Sequence, residues 1–204
     1  MASDPASALP VKQFFEKDDP LVWVDCEMTG LDPRKDKLLE IAVIITNGDL
    51  ERVDSGINLI IHHEKNVLDN MDSWCINQHG KSGLTQACLE SPHTAEDVTS
   101  QVLSYIKQRI PERRVAYLTG NSVHQDRLFL LQEMPEVIDW LHYRIVDVST
   151  IKVLANRWCP QHAFKHDRDG NHRALDDILG SIKELQAYRQ NIFLNEIVGE
   201  AEQR

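Results

Sequence analysis

The chain has 204 residues and a net charge of −10, with 22 Lys and Arg against 32 Asp and Glu. That length suits one domain with a sizeable core. The charge argues against a sequence-independent grip on long nucleic acid, which takes many basic contacts to phosphate. No apolar run approaches the roughly 18 residues needed to span a bilayer, so no membrane partner is expected. The four cysteines form no C-x-x-C pair, and residues 1–20 read as neither a secretory nor an organellar signal. A reducing, cytoplasmic setting is the default expectation, with a mitochondrial one if a presequence has been removed.

Residues 1–20 are expected to form a loose arm, given their Pro and Asp content. The stretch "LVWVDCE" (21–27) predicts a buried strand and "KLLEIAVIIT" (37–46) a second. Asn47-Gly48 is a hairpin signal, and "ERVDSGINLIIHH" supplies the returning strand, which completes a three-stranded antiparallel meander. Helical segments follow. Thr94 predicts an N-cap, with Asp97 three positions on and Val98, Val102, Tyr105 and Ile106 at helical spacing before Pro111. "VAYLTG" (115–120) predicts a short strand, "HQDRLFLLQEM" a helix ending at Pro135, "HYRIVDV" a strand and "STIKVLANRW" a helix. After a polar loop, a long helix is predicted from about Ala174 to Leu194. A meander followed by two parallel strands, with helices on the faces, is an α/β architecture with a mixed sheet.

The chemistry begins with Asp25 and Glu27. On a strand, residues i and i+2 share a face, so these two acids project together at the end of an apolar run. Adjacent carboxylates repel unless a cation lies between them, and oxygen-only ligation suits Mg²⁺ or Mn²⁺. Asp49 and Glu51 repeat the D-x-E pattern just after the Asn47-Gly48 turn, where exposed acids are ordinary. Asp126 opens a helix after a short strand, and Asp176 and Asp177 open the last helix behind His172. Each of these acids also reads as a simple helix-dipole acid. Cys159, His162 and His166 make a C-x2-H-x3-H pattern without a second cysteine pair, a poor match to a zinc site.

Taken together, "WVDCEMTGL", "GNSVHQDRLF" and "HRALDDI" resemble the three motifs of the oligoribonucleases, within the DEDD exonuclease superfamily and its histidine-containing subgroup. "HGKSGL", "MDSWC" and "HYRIVDVST" also look like segments of that family. The resemblance covers roughly residues 20–195, and implies an exonuclease domain over 21–195 with a tail at 196–204. It implies a ribonuclease H-like fold, two divalent ions and a homodimer that releases nucleoside 5′-monophosphates from the 3′ end of very short RNA. By the same resemblance Asp25, Glu27, Asp126 and Asp177 bind the metals, the H-x4-D spacing selecting Asp177 over Asp176, and His172 is the general base. It further implies that Leu31 and Trp74 pack on the bases and that His79 lies near the scissile region. Ser122 meets the 5′ phosphate, and Tyr143, Arg144 and Ser149 reach in from a second subunit.

Overall fold

The computed structural model describes residues 11–164 and 173–194. Five strands form one sheet in the order β3-β2-β1-β4-β5. They are β1 (Leu21–Met28), β2 (Leu38–Thr46), β3 (Ile57–Ile60), β4 (Tyr117–Gly120) and β5 (Ile145–Asp147). The β1–β2 and β2–β3 pairs are antiparallel, whereas β1–β4 and β4–β5 are parallel. The helices are α1 (Lys65–Asp69), α2 (Ser73–Ser82), α3 (Leu84–Glu90), α4 (Ala95–Arg109), α5 (His124–Glu133), α6 (Pro135–Trp140), α7 (Val148–Trp158) and α8 (Ala174–Tyr188).

The central strands are apolar on both faces because both faces are covered. Val22, Val24, Ile41, Val43 and Ile45 pack with Val98, Val102 and Ile106 of α4, Phe129 and Leu130 of α5, and Val137 of α6. On the opposite face Trp23, Ala42 and Ile44 pack with Val148 and Ala155 of α7 and with Ala174, Ile178, Ile182 and Tyr188 of α8. Trp23 also donates its indole N–H to Thr46 Oγ1 at 3.0 Å, which satisfies a polar atom inside that layer. The predicted capping of α4 is present: Asp97 N–H donates to Thr94 Oγ1, and Thr94 N–H to Asp97 Oδ2.

Several expectations are corrected. Asn47-Gly48 does not form a two-residue turn: Leu50 N–H donates to the Asn47 carbonyl, Asn47 N–H to the Glu51 carbonyl, and Leu50 takes the left-handed φ of 67°. The returning strand is then interrupted. Val53 N–H still donates to the Ile45 carbonyl, but Ile57 pairs with Val43, so the outer chain carries two extra residues there. Gly56 lies in that excursion at φ 86°, where a Cβ would stand 2.6 Å from the Val43 carbonyl oxygen. Lastly, residues 1–10 of the expected loose arm lie outside the described residues, but its second half is anchored at Phe14. Phe14 is buried in the core and its N–H donates to the Arg109 carbonyl at 2.7 Å. β5 is also shorter than predicted, leaving Tyr143 and Arg144 on the segment before it.

Candidate active site

The site lies at the carboxyl end of β1, beside the parallel β1–β4 pair, where open α/β sheets commonly bind ligands. The register explains the gap. β1 pairs with β4 only from Leu21 to Trp23, through Tyr117 to Thr119. Gly120 then comes so close to β1 that a Cβ would stand 2.7 Å from the Val24 carbonyl oxygen, and the chain turns away into α5. The amide of Cys26 is left without a strand partner on that side. It donates instead to Asp126 Oδ1 at 2.9 Å, so α5 inserts its first-turn acid where β4 has departed.

Along β1 the side chains of Trp23, Asp25 and Glu27 share a face. Trp23 is covered by α8, and the same helix brings Asp177 to the two acids. One carboxylate oxygen from each of Asp25, Glu27 and Asp177 lies within 4.8 Å of the other two. Asp176, one residue earlier on α8, is exposed and outside this group. His172 lies outside the described residues.

The electrostatics are those of crowded acids. Burial, and then the charges of Asp126, Asp177, Glu27 and Glu40, push Asp25 well above the usual carboxylate range. Burial raises Glu27 to about 7, helped by Glu40, Asp177 and Asp126 and opposed by Arg173. Burial also raises Asp126 to about 7 against the lowering effect of its hydrogen bonds, including that from Cys26 N–H. Protons or cations must offset this repulsion. An all-oxygen donor set at this spacing fits hard divalent ions of the Mg²⁺ and Mn²⁺ type.

Leu31, Trp74 and His79 line one cavity of about 470 Å³ together with Glu27, Met28 and Asp72. Leu31 and Trp74 are 71% and 68% exposed, so neither is a core residue. The loop carrying Leu31 is fixed from two sides. Asp36 Oδ2 accepts from Asp32 N–H at 2.9 Å, and Gln125 Nε2 donates to the Leu31 carbonyl at 3.0 Å. A Cβ at Gly30 would fall 2.5 Å from Asp36 Oδ2, so a larger residue there would have to displace the carboxylate that holds the loop. His79 is buried, with Nε2 2.9 Å from the Met28 carbonyl oxygen. A carbonyl only accepts, so Nε2 carries the hydrogen and Nδ1 faces Glu27 Oε2 at 4.0 Å.

Ser122 and Ser149 meet on one carboxylate. Asp147 Oδ1 accepts from Ser122 N–H at 2.9 Å and from Ser149 Oγ at 2.6 Å, while Oδ2 lies 3.0 Å from His124 Nδ1. Burial acts to raise Asp147, but the bonds from Ser149, His124 and Ser122 outweigh it and hold the carboxyl below its usual range. Tyr143 is 71% exposed, and the Arg144 guanidinium lies over its ring at 5.3 Å. Both line a surface depression with His124 and Arg127, apart from the Leu31–Trp74 cavity.

Two polar residues escaped the sequence reading. Glu40, inside the wholly buried β2, stands directly opposite Glu27 and pairs with Arg173 at 3.0 Å. Its signal was a single acid in an otherwise apolar run. Asp147 was a second, as an acid ending a strand just ahead of a helix.

The RNase T family model, described as an exonuclease, matches residues 22–185. A probable oligoribonuclease of Schizosaccharomyces pombe is 55% identical, over 83% of this chain and 67% of its own length. The mitochondrial oligoribonuclease of Homo sapiens is 49% identical, over 87% and 75% respectively. An oligoribonuclease of Halorhodospira halophila is 47% identical, over 83% and 92%. Among solved structures, an exonuclease I from Methylocaldum szegediense aligns with a TM-score of 0.67 at 16% identity. It is matched over 86% of this chain but 41% of its own, so the present chain spans about two fifths of that protein. At that identity the likeness establishes the ribonuclease H-like fold alone. Among the described residues no helix is long and apolar enough to cross a membrane. The sequence identities and the family match show that the chain belongs to the oligoribonuclease family and is a nuclease.

Proposed function

We propose that the chain is a 3′-to-5′ exoribonuclease that degrades very short oligoribonucleotides, dinucleotides above all, to nucleoside 5′-monophosphates with two Mg²⁺ or Mn²⁺ ions. The observation that carries this reading is the cluster of Asp25, Glu27 and Asp177, whose Glu27 also lines the cavity holding Leu31 and Trp74. A cavity that size suits one or two bases rather than a long strand, and the net charge of −10 favours the same conclusion. The relatives are named as oligoribonucleases, which supports RNA as the substrate.

In this reading Asp25, Glu27, Asp126 and Asp177 hold the ions. When bound, such ions stabilise the charge that develops on the phosphodiester during in-line displacement. His172 takes a proton from the attacking water, a role suited to an imidazole near neutral pH. Leu31 and Trp74 pack on the bases, and His79 shapes the wall behind Glu27. Ser122 meets the 5′ phosphate, and in a homodimer Tyr143, Arg144 and Ser149 reach the partner's site. The setting is cytoplasmic, or mitochondrial as in the relatives whose names say so. Incubation of the purified chain with a diribonucleotide tests the proposal. Mononucleotides carrying a 5′ phosphate, formed with Mg²⁺ or Mn²⁺ and not in a chelator, are expected. Products with a 3′ phosphate, or turnover in the chelator, would contradict it.

A further inference from the structure

The start of α8 has an unusual anchor. Its N-cap is Arg173, which makes no side-chain capping hydrogen bond. Four residues on is Asp177, the acid that α8 delivers to Asp25 and Glu27. A helix end without a cap frays readily, yet this one carries a carboxylate that meets two others. The Arg173 side chain reaches across to β2 instead. Its Nη2 lies 3.0 Å from Glu40 Oε1, which also accepts from Asn58 Nδ2 at 2.7 Å. Glu40 is fully buried and directly opposite Glu27 in the antiparallel register.

The pair is poorly built for stability. Among the described residues, Glu40 Oε2 and Arg173 Nε make no hydrogen bond, so the contact is a single one and not a fork. Buried ion pairs that are incompletely satisfied add little net stability, because desolvation offsets the attraction. What a single contact between half-buried Arg173 and buried Glu40 does supply is position. It ties the N-cap of α8 to β2, directly opposite Glu27.

We propose that Glu40 and Arg173 are positioning residues: their ion pair sets the start of α8 and thereby the reach of Asp177 to Asp25 and Glu27. The inference rests on the metal-site reading above and extends it to residues that hold no ion. Support around metal ligands typically affects metal affinity or activity by about 10- to 100-fold. Arg173→Gln is therefore expected to weaken Mn²⁺ binding about tenfold or more and to lower kcat with KM for a dinucleotide unchanged. Arg173→Lys, which keeps the charge, should recover part of the loss. Because the two residues act as one contact, Glu40→Gln should add nothing further in the Arg173→Gln background.

The experiment is calorimetric titration of full-length wild type, Arg173→Gln, Arg173→Lys, Glu40→Gln and the double variant with Mn²⁺, with kcat, KM and melting temperature on the same samples. Weakened Mn²⁺ binding in a folded variant, non-additive in the double, is the expected result. Wild-type Mn²⁺ affinity in folded Arg173→Gln, or losses that multiply in the double variant, overturn the proposal. Should Arg173→Gln not fold, the comparison of Arg173→Lys with Glu40→Gln decides by the same Mn²⁺ criterion. Failure of the wild type to cleave short RNA would sink the functional reading separately, since the Mn²⁺ titration needs no substrate.

Discussion

Asp126 accepts the backbone hydrogen bond that Cys26 would otherwise have given to a neighbouring strand. The two residues are 100 positions apart in the chain, and this 2.9 Å contact joins α5 to the end of β1. Asp126→Asn keeps an acceptor for the amide and removes one negative charge from a crowded site. Hydrolysis is expected to fall by at least 10²-fold, in line with loss of electrostatic stabilisation at a reacting phosphate. The metal-free protein should stay folded, with a melting temperature equal to or above that of wild type. A large loss of metal-free stability would instead make Asp126 a structural cap.

The raised acids also fix the sign of a pH effect. Glu27 and Asp126 are each raised to about 7, and Asp25 is raised as well. Between the ordinary carboxylate range near 4 and about pH 7, the folded metal-free protein therefore binds more protons than the unfolded chain. Its stability from these groups is full at low pH and is lost as pH rises through about 7. Melting in chelator from about pH 5 to about pH 8 should show a falling midpoint, shallower in Asp126→Asn and restored by Mn²⁺. A midpoint that climbs across this window would contradict the assignment.

Leu31 and Trp74 stand in solvent beside the acids, so truncating either one should leave folding intact. Base stacking on an aromatic side chain is worth roughly 1–3 kcal/mol. Trp74→Ala is expected to raise KM for a dinucleotide about 10- to 100-fold with a smaller change in kcat. An unchanged KM would move the bases elsewhere on the surface.

How far this was legible beforehand varies by residue. Asp25 and Glu27 could be read because an apolar strand leads into them, and strand periodicity alone puts them on one face. The meander and the two parallel strands were legible as well, but the pairing of β4 with β1 rather than with β3 was not. Asp177 and Asp176 could not be told apart by helical pattern, since both fall in the first turn of α8; packing of Ala174 and Ile178 against the sheet orients the former. Glu40 stood out as a lone acid in an apolar strand, but its role was not legible because its partner is 133 residues away. The left-handed Leu50 was missed for a similar reason: its side chain is buried, and that packing outweighs the local preference for Gly48 at the turn.

Tyr143 and Arg144 lie in a depression separate from the cavity of Leu31 and Trp74, which fits a contribution to a second subunit's site. Chains carrying Asp25→Asn and chains carrying Arg144→Ala are each expected to be impaired. Mixed dimers of the two should regain function in about half of their sites, by simple counting of subunits across a two-fold interface. No recovery in verified mixed dimers would confine Arg144 to its own chain.

A pocket for very short RNA should show itself in a length series. Affinity of the Asp126→Asn variant for RNAs of two, five and ten nucleotides would be measured across a salt series, alongside wild-type kcat/KM. For single strands, log affinity falls against log salt by about 0.7 per neutralised phosphate, so a dinucleotide pocket should give a slope near −1 that hardly steepens with length. kcat/KM should be highest for the dinucleotide. If affinity, slope and kcat/KM all climb steadily from two to ten nucleotides, the chain grips an extended strand, and the short-substrate account is contradicted.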